Sequence, residues 1–306
     1  MHDENMVRDS MIRILPVLIL LAMLIGLGAL IMVHAESNNI GYVKYTLILY
    51  NNTLLNGNVA NVINNGGPVS IAYDPRNHCL YVAGSAGVSV INLTTNKIIA
   101  MIPMDTAPEP SSMIYDPSNG YIYVANFWSS TVSVIDPVNN SVIAKIPVGA
   151  GPSSIVYDSN NGYLYVTNAA YGSISIIDPS TNKVIATISS GGEYPVGIAY
   201  DPNNGYLYVA NYESNTVAVI NPMNNSVIAT IPVGSGPTGI VYDPSNGYIY
   251  VADQASGTIS VIDPSTNQVV DTISASGGGP TGIAYDPSNG YLYVTDYGSN
   301  TVYVIN

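Results

Sequence analysis

The side chains that most often do acid–base or nucleophilic chemistry are scarce in this chain. Its 306 residues include three His, one Cys and seven Lys or Arg, against 20 Asp or Glu. A single Cys excludes an intramolecular disulfide and a thiolate metal cluster. A formal net charge of −13 argues against nucleic acid or anionic lipid as a partner, because both require a basic surface. The composition favours a protein that is not an enzyme and uses no metal or cofactor.

His78 and Cys79 are adjacent and would suit a metal site or a nucleophile. Gly120 and Gly247 stand at the position of His78 in other copies of the repeat described below. His tolerates a left-handed backbone better than most residues do, so His78 is predicted in a turn. Cys79 is then a small apolar residue at the start of a strand.

Aromatic and acidic residues are concentrated in segments that vary between the repeats. Phe127 and Trp128 are the only Phe and the only Trp of the protein. Aromatic rings beside carboxylates suit sugars or peptides, and variable loops on a rigid frame are where binding residues concentrate. The alternative is that they pack over the mouth of a central channel. The candidate binding residues are Phe127, Trp128, Tyr171, Tyr212, Tyr297, Asp105, Glu109 and Tyr194, and Glu193 lies beside the last of these.

The elements that position these residues follow from an internal repeat. The motif Tyr-Asp-Pro or a near variant recurs six times, with spacings of 42, 42, 43, 42 and 43 residues. A period of 40–45 residues made of short strands is typical of a propeller blade. The motif begins at Tyr73, Tyr115, Tyr157, Tyr200, Tyr242 and Tyr285.

Each repeat is predicted to form four strands. The strands are rich in Val, Ile, Tyr and Thr, and Asp-Pro and Asn-Gly turns separate them. The turn Asp residues are expected to cap their own turns and not to gather into a carboxylate array. Apolar residues on both faces of the strands indicate sheets that stack on each other. In the fifth repeat the predicted strands are Gly239–Tyr242, Tyr248–Ala252, Thr258–Ile262 and Gln268–Ile273.

The chain resembles the YVTN-repeat β-propeller family of archaeal and bacterial surface proteins. Residues 165–168 spell the motif of that family, and five close variants begin at Tyr81, Tyr123, Tyr208, Tyr250 and Tyr293. The resemblance covers about residues 46–306 and implies a propeller fold, an extracellular or periplasmic setting and usually no enzymatic activity. It does not imply one shared ligand.

The predicted fold is all-β, a six-bladed β-propeller of four-stranded blades. The last repeat ends with a third strand, Thr301–Ile305. The segment Asn58–Val62 aligns with the fourth strand Val227–Ile231, so an N-terminal strand is predicted to complete the last blade and close the ring. A seven-bladed or an incomplete propeller is the alternative. The strand-like segment Tyr45–Tyr50 is then surplus, either as an extra strand of the last blade or as an edge for assembly with a second chain.

The N-terminal region is predicted to be a membrane segment. Ile14–Val33 is a run of 20 uncharged residues, about 30 Å long as a helix. Arg8 and Arg13 precede the run, which places the N-terminus in the cytoplasm and the rest outside. Cleavage of a signal sequence after Ala35 is the alternative. The expected divisions are a cytoplasmic N-terminus at 1–13, a transmembrane helix at 14–33, a linker at 34–44 and the propeller at 45–306.

Asn residues also mark two further kinds of candidate site. The second strands end in Asn or Asp in five repeats, and we expect these side chains to cap loops instead of holding a Ca²⁺-like cation. Outside the membrane, N-x-Ser/Thr sequences are glycan acceptors. Glycosylation is predicted at Asn51, Asn92, Asn139 and Asn224.

These features predict a non-enzymatic propeller at the cell surface that acts as a binding, adhesion or interaction scaffold. The predicted partner is a cell-surface glycan or protein, with the membrane contacted through the N-terminal helix. A structural subunit of a surface layer or filament, a homo-oligomer built through the surplus strand, is the alternative. A propeller lyase or lactonase is less favoured, because such sites generally need His or several carboxylates converging on the channel.

Overall fold

The computed structural model describes the backbone of residues 29–37 and 43–51, and the whole of residues 68–104, 109–275 and 277–306. These residues form an all-β protein whose only helical element is a single 3-10 turn, Ala169–Tyr171. Six sheets of the repeat follow one another along the chain, and each is an antiparallel meander in sequence order. The protein is therefore a β-propeller with six blades.

The strands are numbered in chain order, and two of them precede the first blade. These are β1 (Ala29–Ser37) and β2 (Val43–Asn51). The first three blades comprise β3 Pro68–Asp74, β4 Cys79–Gly84, β5 Gly87–Asn92, β6 Lys97–Ile102; β7 Pro110–Tyr115, β8 Ile122–Asn126, β9 Thr131–Asp136, β10 Ser141–Pro147; and β11 Pro152–Tyr157, β12 Leu164–Asn168, β13 Ser173–Asp178, β14 Lys183–Ser189. The last three comprise β15 Pro195–Asp201, β16 Tyr206–Asn211, β17 Thr216–Asn221, β18 Ser226–Pro232; β19 Pro237–Tyr242, β20 Ile249–Asp253, β21 Thr258–Asp263, β22 Gln268–Ser274; and β23 Pro280–Asp286, β24 Tyr291–Asp296, β25 Thr301–Ile305.

The Asp residues of the repeat cap the turns, as predicted. Asp116 Oδ1 accepts a hydrogen bond from the backbone N–H of Ser118 at 2.8 Å, and Gly120 ends the same turn at a φ of 84°. His78 occupies the position of Gly120 with a φ of 57°, so its prediction as a turn residue is confirmed. Such local hydrogen bonds make the tight turn the favoured link between neighbouring strands.

The core lies between successive blades, and the sheets of the second to fifth blades each pack one face on the blade before and the other on the blade after. Val134 of the second blade belongs to the same buried cluster as Leu164 and Val166 of the third. The first strands of successive blades also run beside each other around the centre. This arrangement explains why the strands carry apolar residues on both faces.

Tyrosine hydroxyls join neighbouring blades at their rim. Tyr123 Oη donates a hydrogen bond to Asn182 Oδ1 of the next blade at 3.0 Å and accepts one from Asn119 Nδ2 of its own blade at 2.9 Å. Tyr81 makes the same kind of link to Asn140, at 3.3 Å. Burial raises the pKa of Tyr81 to about 12, so the hydroxyl stays protonated and able to donate.

The sixth blade differs from the others at its far side. It has three strands among the described residues, and β25 forms its edge. Val304 is 55% exposed, whereas the residues at its position in the other five blades are 0–4% exposed. Within the described part of the chain, β23 and β3 do not approach each other as neighbouring first strands do. The predicted closing strand Asn58–Val62 lies outside the described residues and stays a prediction.

The N-terminal region contains a hairpin in which β1 pairs antiparallel with β2. The last five residues of the predicted membrane helix, 29–33, and the first residues of the predicted linker, 34–37, therefore lie in a strand. The run is rich in Ile, Leu and Val, whose side chains suit a strand as well as a membrane helix. Residues 14–28 lie outside the described residues. In the part of the chain that is described, no helix has the length and hydropathy to cross a membrane.

Candidate functional site

The variable loops meet on one side of the propeller, which we call the loop face. It consists of the loops between second and third strands and the loops that link one blade to the next. No Lys or Arg occurs among the described residues of these loops. The charged residues of its described loops are Glu109, Glu193 and Glu213, all of them acidic. The opposite side, made of the Asp-Pro turns, is called the turn face.

Trp128 is the most prominent aromatic residue of the loop face. Its indole Nε1–H donates a hydrogen bond to the carboxylate of Glu109 in the preceding loop. The Phe127 ring meets it edge to face, with 5.1 Å between the ring centroids. Trp128 is nevertheless 44% exposed. The indole is thus held in one orientation while part of its surface stays open to a ligand.

The aromatic contacts continue into the third and fourth blades. Phe127 and Ala169 form a small buried cluster on which Tyr194 packs. Tyr194 in turn meets Tyr212 edge to face, with centroids 6.1 Å apart. Burial raises the pKa of Tyr194 to about 12, and the nearby Glu213 carboxylate adds to the shift. We call this continuous set of five residues the loop-face band: Trp128, Phe127, Ala169, Tyr194 and Tyr212.

Two residues that position the band have an unusual backbone. A Pro begins the first strand of each blade. The carbonyl of the residue before this Pro accepts a hydrogen bond from the loop between the second and third strands of the same blade, as in Phe127 N–H to Glu109 O at 3.0 Å. Gly151 and Gly236 fill this place with φ of 68° and 63°, whereas Glu109 and Tyr194 fill it with φ of 30° and 54°. A left-handed conformation costs a residue other than Gly about 1–2 kcal/mol. Gly is sufficient for the fold at this position, as Gly151 and Gly236 show, so the side chains of Glu109 and Tyr194 indicate a role on the loop face.

The structure brings together most of the predicted binding residues. Phe127, Trp128, Glu109, Tyr194 and Tyr212 are in mutual contact through the band, and Tyr171 lies in the same loop as Ala169, 80% exposed. Tyr297, 42% exposed, lies in the loop of the sixth blade and is outside the band. Asp105 lies outside the described residues.

Two residues of this surface were missed by the sequence reasoning. Ala169 lies under the rings of Phe127 and Tyr194, and no composition signal marks a buried Ala in a loop. Glu213 follows Tyr212 directly and is exposed. Its place in a variable loop that contains no basic residue could have indicated it.

The polar residues that end the second strands point into their own blades. Asn168 Nδ2 donates to Ser175 Oγ at 3.0 Å, and Asp253 Oδ2 accepts from Ser260 Oγ at 2.7 Å. Burial raises the pKa of Asp253 to about 6, although the hydrogen bond from Ser260 favours the charged form of the carboxyl group. Among the described residues, no three His, Cys, Asp or Glu side chains gather as metal ligands would.

His78 is remote from the loop face. Its Nδ1 lies 2.9 Å from the hydroxyl of Tyr73, in a turn of the first blade on the turn face. The neighbouring Cys79 is buried, and burial raises the pKa of its thiol, which disfavours the reactive thiolate. The contacts of both residues are those of a turn and a strand start.

Two family models match parts of the chain. One is described as a repeat of unknown function, DUF6923, and matches residues 186–306. The other is described as lactonase, 7-bladed beta-propeller, and matches residues 140–230. Each covers less than half of the chain. No curated protein matches the sequence.

Solved structures with the same architecture have very different sequences. Virginiamycin B lyase from Staphylococcus aureus is 16% identical with a TM-score of 0.69, and the match covers 79% of this chain and 82% of that one. The catalytically inactive histidine-to-alanine variant of that lyase with quinupristin matches equally well. Hydrazine synthase from Kuenenia stuttgartiensis is 17% identical with a TM-score of 0.56, over 83% of this chain and 99% of that one. At these identities the comparisons identify the fold of the chain, a β-propeller, and leave its activity open.

Proposed function

We propose that this protein is a non-enzymatic binding propeller whose loop-face band recognises a glycan or protein partner at the cell surface. The observation that carries the proposal is the band itself. The exposed Trp128 ring, the buried Phe127 ring and the partly buried Tyr rings are joined by direct contacts, and Glu109 and Tyr194 stand at positions that Gly occupies in other blades. Binding sites are commonly built from variable loops on a rigid frame.

The placement of His78 supports a binding role over a catalytic one. The Staphylococcus aureus lyase depends on a histidine, because its histidine-to-alanine variant is catalytically inactive. Among residues 68–104, 109–275 and 277–306, which form the blades and their loops, His78 is the one histidine, and its ring lies in hydrogen-bond contact with Tyr73 in a turn on the other side of the propeller. The carboxylates near the band hold the Trp128 indole or face solvent. A binding surface needs no general acid or base.

Display outside the cell is part of the proposal. The uncharged run 14–33 with Arg8 and Arg13 before it supports export, either as a membrane anchor or as a signal cut after Ala35. Asn139 and Asn224 are exposed in turns, where glycans would extend into solvent. Mass spectrometry of the protein purified from its own cells tests cleavage and glycosylation together.

A structural subunit of a surface layer is the second candidate, and the sixth blade favours it. The β25 edge has no partner strand among the described residues, and Val304 on the adjoining face is exposed. Such an edge can pair with a strand of a second chain. It can equally accept the segment Asn58–Val62 as the fourth strand of the last blade. Sedimentation of the wild type and of Val304→Asp separates these cases. If β25 pairs with a second chain, the apparent molecular mass of the wild type rises with concentration, whereas a blade completed within one chain keeps the mass of a monomer.

The binding role is tested by screening immobilised glycans and cell-surface proteins with three forms of the full chain. We expect the wild type to retain a ligand that Trp128→Ala loses. Tyr297→Ala is the matched control, since Tyr297 is equally exposed on the loop face but lies outside the band. Equal retention by Trp128→Ala and the wild type would refute the role of the band.

A further inference from the structure

We propose that the loop-face band binds a cationic peptide segment, one that carries Lys or Arg side chains on the surface of a partner protein. This inference rests on the proposed function and names the chemistry of the partner. It is carried by the charge of the loop face, by the way Trp128 is held and by the residues at the two left-handed positions.

The charge of the loop face has a single sign. Glu109, Glu193 and Glu213 belong to loops around the band, and the part of the loop face that the structure describes contains no Lys or Arg to neutralise them. The backbone N–H of Glu193 donates to Ser214 Oγ at 2.8 Å, which joins the loops that carry Glu193 and Glu213. Both Glu residues are exposed; Glu193 precedes Tyr194 in the chain and Glu213 follows Tyr212. A potential of one sign attracts and orients a partner of the opposite sign.

The geometry of Trp128 suits a cation. The Glu109 carboxylate accepts a hydrogen bond from the indole N–H at the edge of the Trp128 ring, and Phe127 packs edge to face against the same ring. A cationic head placed over the exposed indole surface would also lie near the Glu109 carboxylate. Trp is the best aromatic partner for Lys and Arg cations, and the attraction grows as water is excluded. A neutral sugar would use the rings without using the charge.

The left-handed positions show that these side chains are not required by the fold. Gly fills the equivalent place at Gly151 and Gly236. The chain instead places a carboxylate at 109, where it holds the indole, and an aromatic ring at 194, where it supports Tyr212. The two strained positions therefore each supply one feature that a cationic segment needs: position 109 supplies negative charge and position 194 supplies aromatic surface.

The test uses a fluorescein-labelled peptide of alternating Gly and Lys, with a twin in which Glu replaces Lys. Fluorescence anisotropy with the full-length protein is expected to detect binding of the Lys peptide alone, weakened by added salt. The triple variant Glu109→Gln, Glu193→Gln and Glu213→Gln removes three charges and keeps similar shapes. We expect it to weaken binding about tenfold or more, and Trp128→Ala to weaken it as well.

A matched triple variant controls for net charge. Asp136→Asn, Asp178→Asn and Asp263→Asn remove three charges from the turn face, where Asn92 and Asn221 fill the same position in other blades. This control is expected to change the affinity by about twofold or less. Failure of the Lys peptide to bind, or equal loss in the two triple variants, would overturn the inference. If the screen still finds a neutral ligand that depends on Trp128, the proposed function stands and only the cationic partner is wrong.

Discussion

Replacing Asp253 by Asn is expected to stabilise the protein, by an amount that grows as the pH rises from about 4 to about 6 and then stays constant. Asp253 ends a second strand with its side chain fully buried. Asn126, Asn168 and Asn211 hold the same position in three other blades. In the Asn168 blade the amide donates to Ser175 Oγ, and an amide at 253 would donate to Ser260 Oγ in the same way.

The size of the effect follows from the pKa of Asp253. Burial raises it from 3.8 to about 6, and each pKa unit corresponds to about 1.36 kcal/mol, so the penalty for the buried charge is about 3 kcal/mol. Because the folded state favours the neutral acid, this stability is fully present below pH 3.8 and is lost as the pH rises through about 6. The Asn variant carries no charge and avoids the loss.

The assay is urea unfolding of the wild type and Asp253→Asn at pH 4.5, 6 and 8. We expect the difference in free energy of unfolding to be about 1 kcal/mol at pH 4.5, about 2.5 kcal/mol at pH 6 and about 3 kcal/mol at pH 8. Asp271→Asn, at an exposed site on a fourth strand, is the control and should shift little. A gain that does not depend on pH, or a variant less stable at pH 8, would refute the reasoning.

Three further predictions follow from the blades and the band. Val134→Ala should lower the free energy of unfolding by about 2 kcal/mol, and Val304→Ala by less than about 0.5 kcal/mol, because only Val134 is packed between blades; equal losses in urea unfolding would contradict an open sixth blade. Glu109→Gly should relieve backbone strain and raise the free energy of unfolding by about 1 kcal/mol, which a higher melting temperature would report. The same change should weaken binding, because Trp128 loses the carboxylate that holds its indole. Tyr123→Phe should cost about 1–2 kcal/mol in the same unfolding assay, since its hydroxyl links two blades.

The strands of the fifth repeat can be predicted from the sequence to within two residues, whereas β1 is a strand where the sequence predicts a membrane helix and a linker. In the fifth repeat, the first strand was expected at Gly239–Tyr242 and is observed at Pro237–Tyr242, and the third was expected at Thr258–Ile262 and is observed at Thr258–Asp263. The repeat makes this possible, because each turn carries the same local capping chemistry in every copy. The capping Asp residues and the left-handed His78 were predicted for the same reason.

The band could be predicted only in part. The aromatic loops were recognisable because they depart from the repeat, but their mutual contacts depend on how far one blade is rotated from the next. That rotation joins Phe127 to Tyr194 and leaves Tyr297 apart. The left-handed conformations of Glu109 and Tyr194 were also missed, although alignment with Gly151 and Gly236 would have marked them.

The most direct test of the account uses the one Trp of the protein as a reporter. Trp128 lies in the band, so its fluorescence is a probe of this surface without any label. A ligand found in the screen, or the Lys peptide, is titrated into the full-length wild type while the Trp emission is recorded. Binding at the loop-face band is expected to shift or quench the Trp128 emission, with saturation at the same affinity as the binding itself. Saturated binding with unchanged Trp128 emission would place the ligand elsewhere and contradict the loop-face band as the binding site.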